Sequence, residues 1–299
     1  MSSAPIPVFI NPVAGRGRAA KSTARICQIL QQESVHCDLI ESHAPGDIER
    51  QVFAAAKSGT RKILVAGGDG SVHEAVNGIC RADSNTALGV IPVGTGNDFA
   101  KAAVIPLHWQ DAASGLAERL KNKLPVRQVD VGKMNERFFA NGVGIGFDAK
   151  INRIARDITW PIGDMIYLVA VFRGIRDGVI TPRVRMRYGD TVRNGAITLA
   201  NISNGPWVGG MFHIAPMARI DDGSLDLVFI PPVSNGRILA LLPKLIKGTH
   251  IDAAEVSCSS IETFELESEA PIPSHLDGEV QPLQTTFKVR ILKGALHLI

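Results

Sequence analysis

Along the first hundred residues, short apolar runs alternate with stripes at helical spacing. Pro7–Ile10, Cys37–Glu41, Ile63–Ala66 and Ala87–Ile91 read as strands, and the Ile63–Ala66 run as one buried on both faces. Between them Ala20, Ala24, Ile26, Cys27 and Leu30 mark one helix face. Ile48, Val52, Phe53 and Ala56 mark a second, with Asp47 as its cap, and Val72, Ala75, Val76 and Ile79 a third. Asp111–Lys121 predicts a further helix. The order βαβαβαβ implies a parallel sheet wound with helices.

After Pro125 the texture changes. Short strand-like runs dominate: Val126–Gly132, Arg137–Asn141, Val184–Tyr188, Gly195–Ala200, Leu225–Ile230, Ile261–Leu266 and Thr286–Leu292, separated by Gly, Pro, Asn and Asp. They predict a second domain built as a β-sandwich. Two helical inserts interrupt it, Gly163–Arg176 and Asn235–Lys247, the latter with Pro243 as an expected kink. The expected fold is α/β: a parallel-sheet nucleotide-binding domain over residues 1–130, then a β-sandwich over 131–299 whose last strand returns to the first domain.

Glycines gather where the early strands give way to helices. Gly67-Gly68-Asp69-Gly70-Ser71 follows the third strand, Asn11-Pro12-Val13-Ala14-Gly15-Arg16-Gly17-Arg18 the first, and Pro92-Val93-Gly94-Thr95-Gly96-Asn97-Asp98 the fourth. Glycine permits φ > 0 and leaves no Cβ between backbone and ligand. The first amides of a helix lack internal partners and carry partial positive charge, so phosphate is their natural guest. Asp69 inside such a turn would repel phosphate unless a cation, usually Mg²⁺, lies between them. Arg16 and Arg18 add groups that pair well with phosphate. In wound sheets ligands bind at the carboxyl ends of the strands, so the three turns are expected to serve one site.

Composition narrows the classes. The 299 residues suggest about two domains, and 45% hydrophobic content supports real cores. A net charge of +3 without basic blocks excludes nucleic acid as a partner. Cys27, Cys37, Cys80 and Cys258 show no metal-ligand spacing and fit a reducing, cytoplasmic setting. The longest apolar run, Met165–Phe172, is far short of the ~20 residues that span a bilayer. Two acidic motifs stand in the second half: Ala215-Pro216-Met217-Ala218-Arg219-Ile220-Asp221-Asp222-Gly223-Ser224-Leu225, and His275-Leu276-Asp277-Gly278-Glu279 as a hairpin turn.

Taken in order, NPVAGRG, GGDGSVHEAVNGI, PVGTGNDFA, APMARIDDGSLDL and HLDGE resemble the diacylglycerol kinase catalytic family, which includes bacterial lipid kinases and the diacylglycerol, sphingosine and ceramide kinases. The resemblance spans Asn11 to Glu279 and implies an ATP-dependent lipid kinase with Mg²⁺. It places ATP at Asn11, Pro12, Val13, Ala14, Gly15, Ser42, Gly67, Gly68, Asp69, Gly70, Ser71, Val72, His73 and Thr95. Ser42 and Ser71 stand where the family usually carries threonine and keep the hydroxyl. Asp277 would be the base toward the lipid hydroxyl, with Glu279 beside it. Asp222, with the carbonyls of Arg219 and Ser224, resembles a metal site, and Asp69, Asp98 and Asp130 resemble an aspartate–water–Mg²⁺ network. Gly209-Gly210-Met211 departs from the family, where many members carry a third glycine, and leaves the identity of the lipid open.

A lipid substrate implies a membrane surface as partner and transient peripheral association, for which Trp160-Pro161-Ile162 to Phe172 is the candidate contact. The rival readings are a soluble-substrate kinase of the NAD kinase type and a non-catalytic lipid or nucleotide sensor. The oligomeric state stays open, a homodimer included. For the kinase reading, the glycine turns and the acidic hairpin are expected to face one another across one crevice.

Overall fold

The computed structural model describes residues 4–158, 163 and 165–299. The chain divides into two compact units, residues 1–130 with 294–299, and residues 131–293.

In the first unit β1 (Ile6–Ile10), α1 (Ala14–Gln32), β2 (Cys37–Glu41), α2 (Asp47–Lys57), β3 (Lys62–Gly67), α3 (Asp69–Arg81) and β4 (Ala87–Pro92) alternate strictly. Two helices follow, α4 (Asp98–Ala102) and α5 (Trp109–Lys121). The strands pair in parallel in the order β2-β1-β3-β4. The last residues of the chain add to it, with His297 and Leu298 parallel to Ala87 and Leu88 of β4. One apolar core joins Val8, Ile10, Leu64 and Ile91 of the strands to Ile26 and Leu30 of α1 and Leu116 of α5.

Two local expectations are corrected here. The buried stripe of α1 is Ala19, Ser22, Ile26, Ile29 and Leu30, while Ala20 and Ala24 face solvent. Gly15, Arg16 and Gly17 take φ of 58°, 60° and 82°, so the regular helix is re-phased after its first turn. Asp47 is not the cap of α2: Gly46 is, and Asp47 accepts from the amides of His43 and Ala44 instead.

The second unit begins within β5 (Arg127–Met134) and continues with β6 (Arg137–Phe139), β7 (Gly142–Gly146), α6 (Phe147–Arg156), α7 (Met165–Arg176), β8 (Arg183–Tyr188), β9 (Thr191–Ala196) and β10 (Leu199–Ser203). Then come β11 (Leu225–Ile230), α8 (Asn235–Lys247), β12 (Ser257–Ile261), β13 (Thr263–Ile272), β14 (Ser274–Leu276), β15 (Glu279–Val280) and β16 (Gln284–Leu298). One antiparallel sheet runs β12-β11-β10-β7-β14-β15, and β16, β13, β8 and β9 pair antiparallel in another. Val143, Ile145, Ile202 and Leu227 from the first meet Met186, Phe264, Leu266 and Phe287 from the second in a single core, which is a β-sandwich.

Strand β7 and helix α6 were not anticipated. Gly142-Val143-Gly144-Ile145-Gly146 carries only alternate apolar side chains, too few to form an apolar run. The expected strand Gly195–Ala200 divides between β9 and β10, and Ile261–Leu266 between β12 and β13. Trp160, Pro161 and Ile162 lie outside the described residues, while Phe172 on α7 is exposed. No helix among the described residues is long and apolar enough to cross a membrane.

Candidate active site

The loops after β1, β3 and β4 are knitted together at the carboxyl ends of the strands. The amide of Asn11 donates to the carbonyl of Ala66, and that of Val93 to Gly67. The Arg18 guanidinium donates to the carbonyls of Gly94 (2.8 Å) and Gly15 (3.0 Å), so Arg18 ties two loops rather than presenting its charge to a ligand. The reason for the glycines differs from the expectation. Gly67, Gly68 and Gly70 do not adopt positive φ; Gly68 is extended, at −101°. Gly67 and Gly68 are short of room instead, and at Gly68 two backbones meet. A Cβ on Gly68 would stand 3.1 Å from the Cα of Gly94, and one on Gly94 would overlap the Cα of Gly68 and lie 2.7 Å from Asn97 Oδ1. A Cβ on Gly67 would strike the Ser71 hydroxyl.

Helices α1, α3 and α4 start from these loops, and none has a side-chain hydrogen bond at its N-cap. Elsewhere in the unit the same need is met internally: the Glu74 carboxylate accepts from the amides of Gly46, Ile48 and Glu49 at the start of α2. The starts of α1 and α3 therefore hold amides suited to an anion, whereas at α4 the Asp69 carboxylate already accepts from the Phe99 amide. Ser71 Oγ, buried in the same place, has no hydrogen-bond partner among the described residues. This donor set fits the phosphates of a nucleotide.

The ATP candidates distribute unevenly around these loops. Asn11, Pro12, Val13, Ala14 and Gly15 form the β1–α1 turn, with Asn11 Oδ1 accepting from the Val13 amide at 3.1 Å. Thr95 is exposed and Gly68, Asp69 and Gly70 are half-buried. Ser42 is buried just beyond β2, its amide on the carbonyl of Ile10. The side chains of Val72 and His73 are buried, with Asn77 packed on His73, so contact with a nucleotide at those positions falls to the backbone.

Of the three aspartates assigned to a metal network, Asp69 accepts from the Phe99 amide at 3.1 Å, beside Asp98. Asp98 lies 3.3 Å from the Lys101 ammonium, and Asp130, buried, accepts from the amide of Gly294 at 2.7 Å. In the second unit, Asp222 Oδ1 accepts from the amide (3.0 Å) and hydroxyl (2.9 Å) of Ser224, and Arg219 approaches Asp221 at 3.8 Å. Burial and the negative charge of Asp222 push the Asp226 carboxyl up to about 6. Two carboxylates that repel each other gain from a hard, oxygen-seeking cation between them. Among the described residues no cluster of three or more acidic, histidine or cysteine side chains forms a metal centre on its own.

The acidic hairpin is built as its sequence predicts. Strands β14 and β15 pair through Leu276 and Glu279, and Asp277 and Gly278 turn with φ of 50° and 86°. The Asp277 carboxylate accepts three backbone amides: Oδ1 from Asn141 (2.8 Å) and Gly142 (2.9 Å), and Oδ2 from Ala140 (2.9 Å). It is thereby fixed to the loop before β7. Glu279 forms a 2.8 Å ion pair with Arg156 of α6.

Sequence reasoning missed Asp148 and gave His275 no role. Asp148, in the first turn of α6, meets His275 Nε2 at 3.1 Å. Burial pushes the Asp148 carboxyl up, but His275 and the Asn201 amide outweigh this and hold it below the usual range. The signal was available: Gly142–Gly146 and the residues after it form a fourth glycine-rich strand-to-helix turn. Asp148 also lines an apolar cavity of about 90 Å³ between α6, α7 and α8, walled by Phe147, Ile151, Val171, Phe212, Leu242 and Leu245.

Similarity to known proteins identifies the family and the fold. Residues 5–134 match the model of the diacylglycerol kinase catalytic domain, and residues 141–299 that of the YegS C-terminal NAD kinase beta sandwich-like domain. A protein of Chromohalobacter salexigens named "Probable lipid kinase YegS-like" is 31% identical over 257 residues, 85% of this chain and 80% of that protein. A Mycobacterium tuberculosis protein named diacylglycerol kinase is 28% identical over 275 residues, 92% of this chain and 88% of its own length. A crystal structure of a diacylglycerol kinase from Bacillus anthracis str. Sterne shares the fold with TM-score 0.74 at 22% identity, covering 99% of this chain and 96% of that one. A second structure from that organism reaches 0.81 at 24% identity over the same shares. Two matched domain models that together span nearly the whole chain, and a relative above 30% identity, mean that this protein belongs to the diacylglycerol kinase catalytic family of lipid kinases, a kinase family whose membership implies use of ATP.

Proposed function

We propose that the protein transfers the γ-phosphoryl group of ATP to a hydroxyl of a lipid of the diacylglycerol type. The observation that carries the lipid reading is the apolar cavity in the second unit. Its wall residue Asp148 bonds the same strand, β14, that leads into the Asp277 turn. A soluble acceptor such as a dinucleotide has no use for a cavity lined by Phe147, Leu242 and Leu245, whereas its volume of about 90 Å³ takes the end of an acyl chain, a few methylenes.

Phosphoryl transfer asks a protein chiefly for positioning and charge neutralisation. The N-termini of α1 and α3 and the Ser71 hydroxyl receive the polyphosphate. Asp277, immobilised by the amides of Ala140, Asn141 and Gly142, orients the attacking hydroxyl and accepts its proton as the bond to phosphorus forms. An ordinary carboxylate is a weak base, but in a loose transition state the proton leaves late, so a weak base suffices. Mg²⁺, when bound, offsets the phosphate charge. Asp69, Asp98 and Asp130 would hold it through water, and Asp222 with the Arg219 and Ser224 carbonyls would hold a second ion. Without a membrane-spanning helix among the described residues, the enzyme would meet its lipid from the membrane surface.

The test offers labelled ATP with dioctanoylglycerol in vesicles and, separately, with NAD. Phosphate on the lipid is the expected result. Phosphate on NAD alone favours the soluble-substrate rival, and no transfer to any acceptor with intact nucleotide binding favours a sensor.

A further inference from the structure

The residue that begins the acidic hairpin, His275, is almost fully buried and bonded at both ring nitrogens. In the sheet it lies opposite Gly144, which in turn lies opposite Asn201. Above this row sits the Asp148 carboxylate. Gly144 leaves the space: a Cβ there would overlap both Asp148 Oδ2 and His275 Nε2. Asp148 Oδ2 also accepts from Asn201 Nδ2 at 3.3 Å, and the Ser203 hydroxyl donates to Asn201 Oδ1 at 2.5 Å.

On the other side of the ring, the amide of Gly278 donates to His275 Nδ1 at 3.3 Å. A nitrogen that accepts a hydrogen bond carries no proton, so Nδ1 is bare and the single ring proton is on Nε2, donated to Asp148. The chain Ser203–Asn201–Asp148–His275 thus ends on the amide of the turn that presents Asp277. Asp-Gly is itself a favoured pair for a left-handed turn, so the ring adds placement rather than conformation: through the Gly278 amide it pins the turn at one position against β14.

We propose that His275 is a positioning residue: as the neutral Nε2–H tautomer anchored by Asp148, it holds the Gly278 amide and so fixes the left-handed turn that aims the Asp277 carboxylate. The role rests on the reading of Asp277 as the base, but the pair itself is testable without substrate.

Two measurements test it. In protein labelled with ¹⁵N-histidine, long-range ¹H–¹⁵N correlation reads each ring's protonation, and His275 is assigned by the signal missing from His275→Asn. The Nε2–H tautomer at neutral pH is expected; a proton on Nδ1 overturns the proposal. In kinetics with ATP and dioctanoylglycerol vesicles, three variants separate the two bonds. Asn places an oxygen where Nδ1 was and keeps the Gly278 contact. Gln reaches Asp148 but not Gly278, and Leu reaches neither. His275→Gln and His275→Leu should lose roughly 10²-fold in kcat, the cost of about 1 Å of misplacement, with KM for ATP unchanged. His275→Asn should stay within about 10-fold of wild type. Equal losses in the Asn and Leu variants, or a raised KM for ATP alone, overturn the positioning role. Should the Leu variant fail to fold, the Asn–Gln contrast and the tautomer still decide. A wild-type protein inactive on dioctanoylglycerol counts against the proposed substrate class, while the tautomer measurement continues to judge the pair.

Discussion

The contact between Gly68 and Gly94 allows a graded test of how the nucleotide loops work. Alanine at position 94 would set its Cβ inside the van der Waals surface of Gly68 Cα, 2.7 Å from Asn97 Oδ1 and 3.2 Å from the Gly68 nitrogen. Ordinary carbon–carbon contacts are ~3.5–4.0 Å, and the atoms opposed are backbone, which cannot rotate away. The two loops must therefore part by roughly 1 Å, enough to break a hydrogen bond of ordinary length. Each amide–phosphate bond is worth about 1.5–3 kcal/mol, so losing one weakens nucleotide binding by roughly 10- to 150-fold. Alanine at position 68 meets Gly94 Cα at 3.1 Å, a strain relieved by a few tenths of an ångström. Its loss should stay below about 5-fold. Calorimetry with a non-hydrolysable ATP analogue measures both, and thermal melts report whether each variant is folded. Wild-type affinity in Gly94→Ala, or a larger loss in Gly68→Ala, would refute the idea that these glycines serve backbone contact at a phosphate site.

Other outcomes follow from the same geometry. Asp277→Asn should lower kcat by roughly 10²–10⁴ while leaving the affinity for ATP intact, since the nucleotide loops do not include it; near-normal turnover would remove Asp277 from the chemistry. The Asp226 carboxyl keeps its proton in the folded protein up to about 6, while in the unfolded chain it loses it near 4. Stability is therefore lost as pH rises between those values and the deficit stays constant above. Asp226→Asn should accordingly raise the urea midpoint relative to wild type at pH 8 and not at pH 4, and an equal change at both would exclude the ionisation as its cause. Leu242→Trp, which fills the apolar cavity, should raise KM for dioctanoylglycerol and leave KM for ATP unchanged; lipid kinetics indifferent to this change would exclude the cavity as the acyl site.

Much of the architecture is legible in the order of residues because it follows from local periodicity. Ile63–Ala66 and Ala87–Ile91 announce buried strands, and the switch to helical spacing after Gly70 announces α3. The Asp277–Gly278 turn is equally local in its type, since two adjacent residues carry the preference for it. Where side chains are absent, the pattern falls silent. Gly142–Gly146 is a central strand with no apolar run, so β7 escaped notice, and with it the strand-to-helix turn that carries Asp148.

What the sequence by itself determined is the alternation of strands and helices in the first unit, the three glycine turns and the acidic hairpin, all set by interactions within a few residues. Tertiary structure alone decided why each glycine is there and which polar groups are already occupied. Gly94 needs to be glycine because of Gly68, Gly144 because of Asp148 and His275, and Arg18 is spent on a carbonyl 76 residues away. Those demands arise from close approach between distant segments, and a one-dimensional pattern carries no record of distance in space.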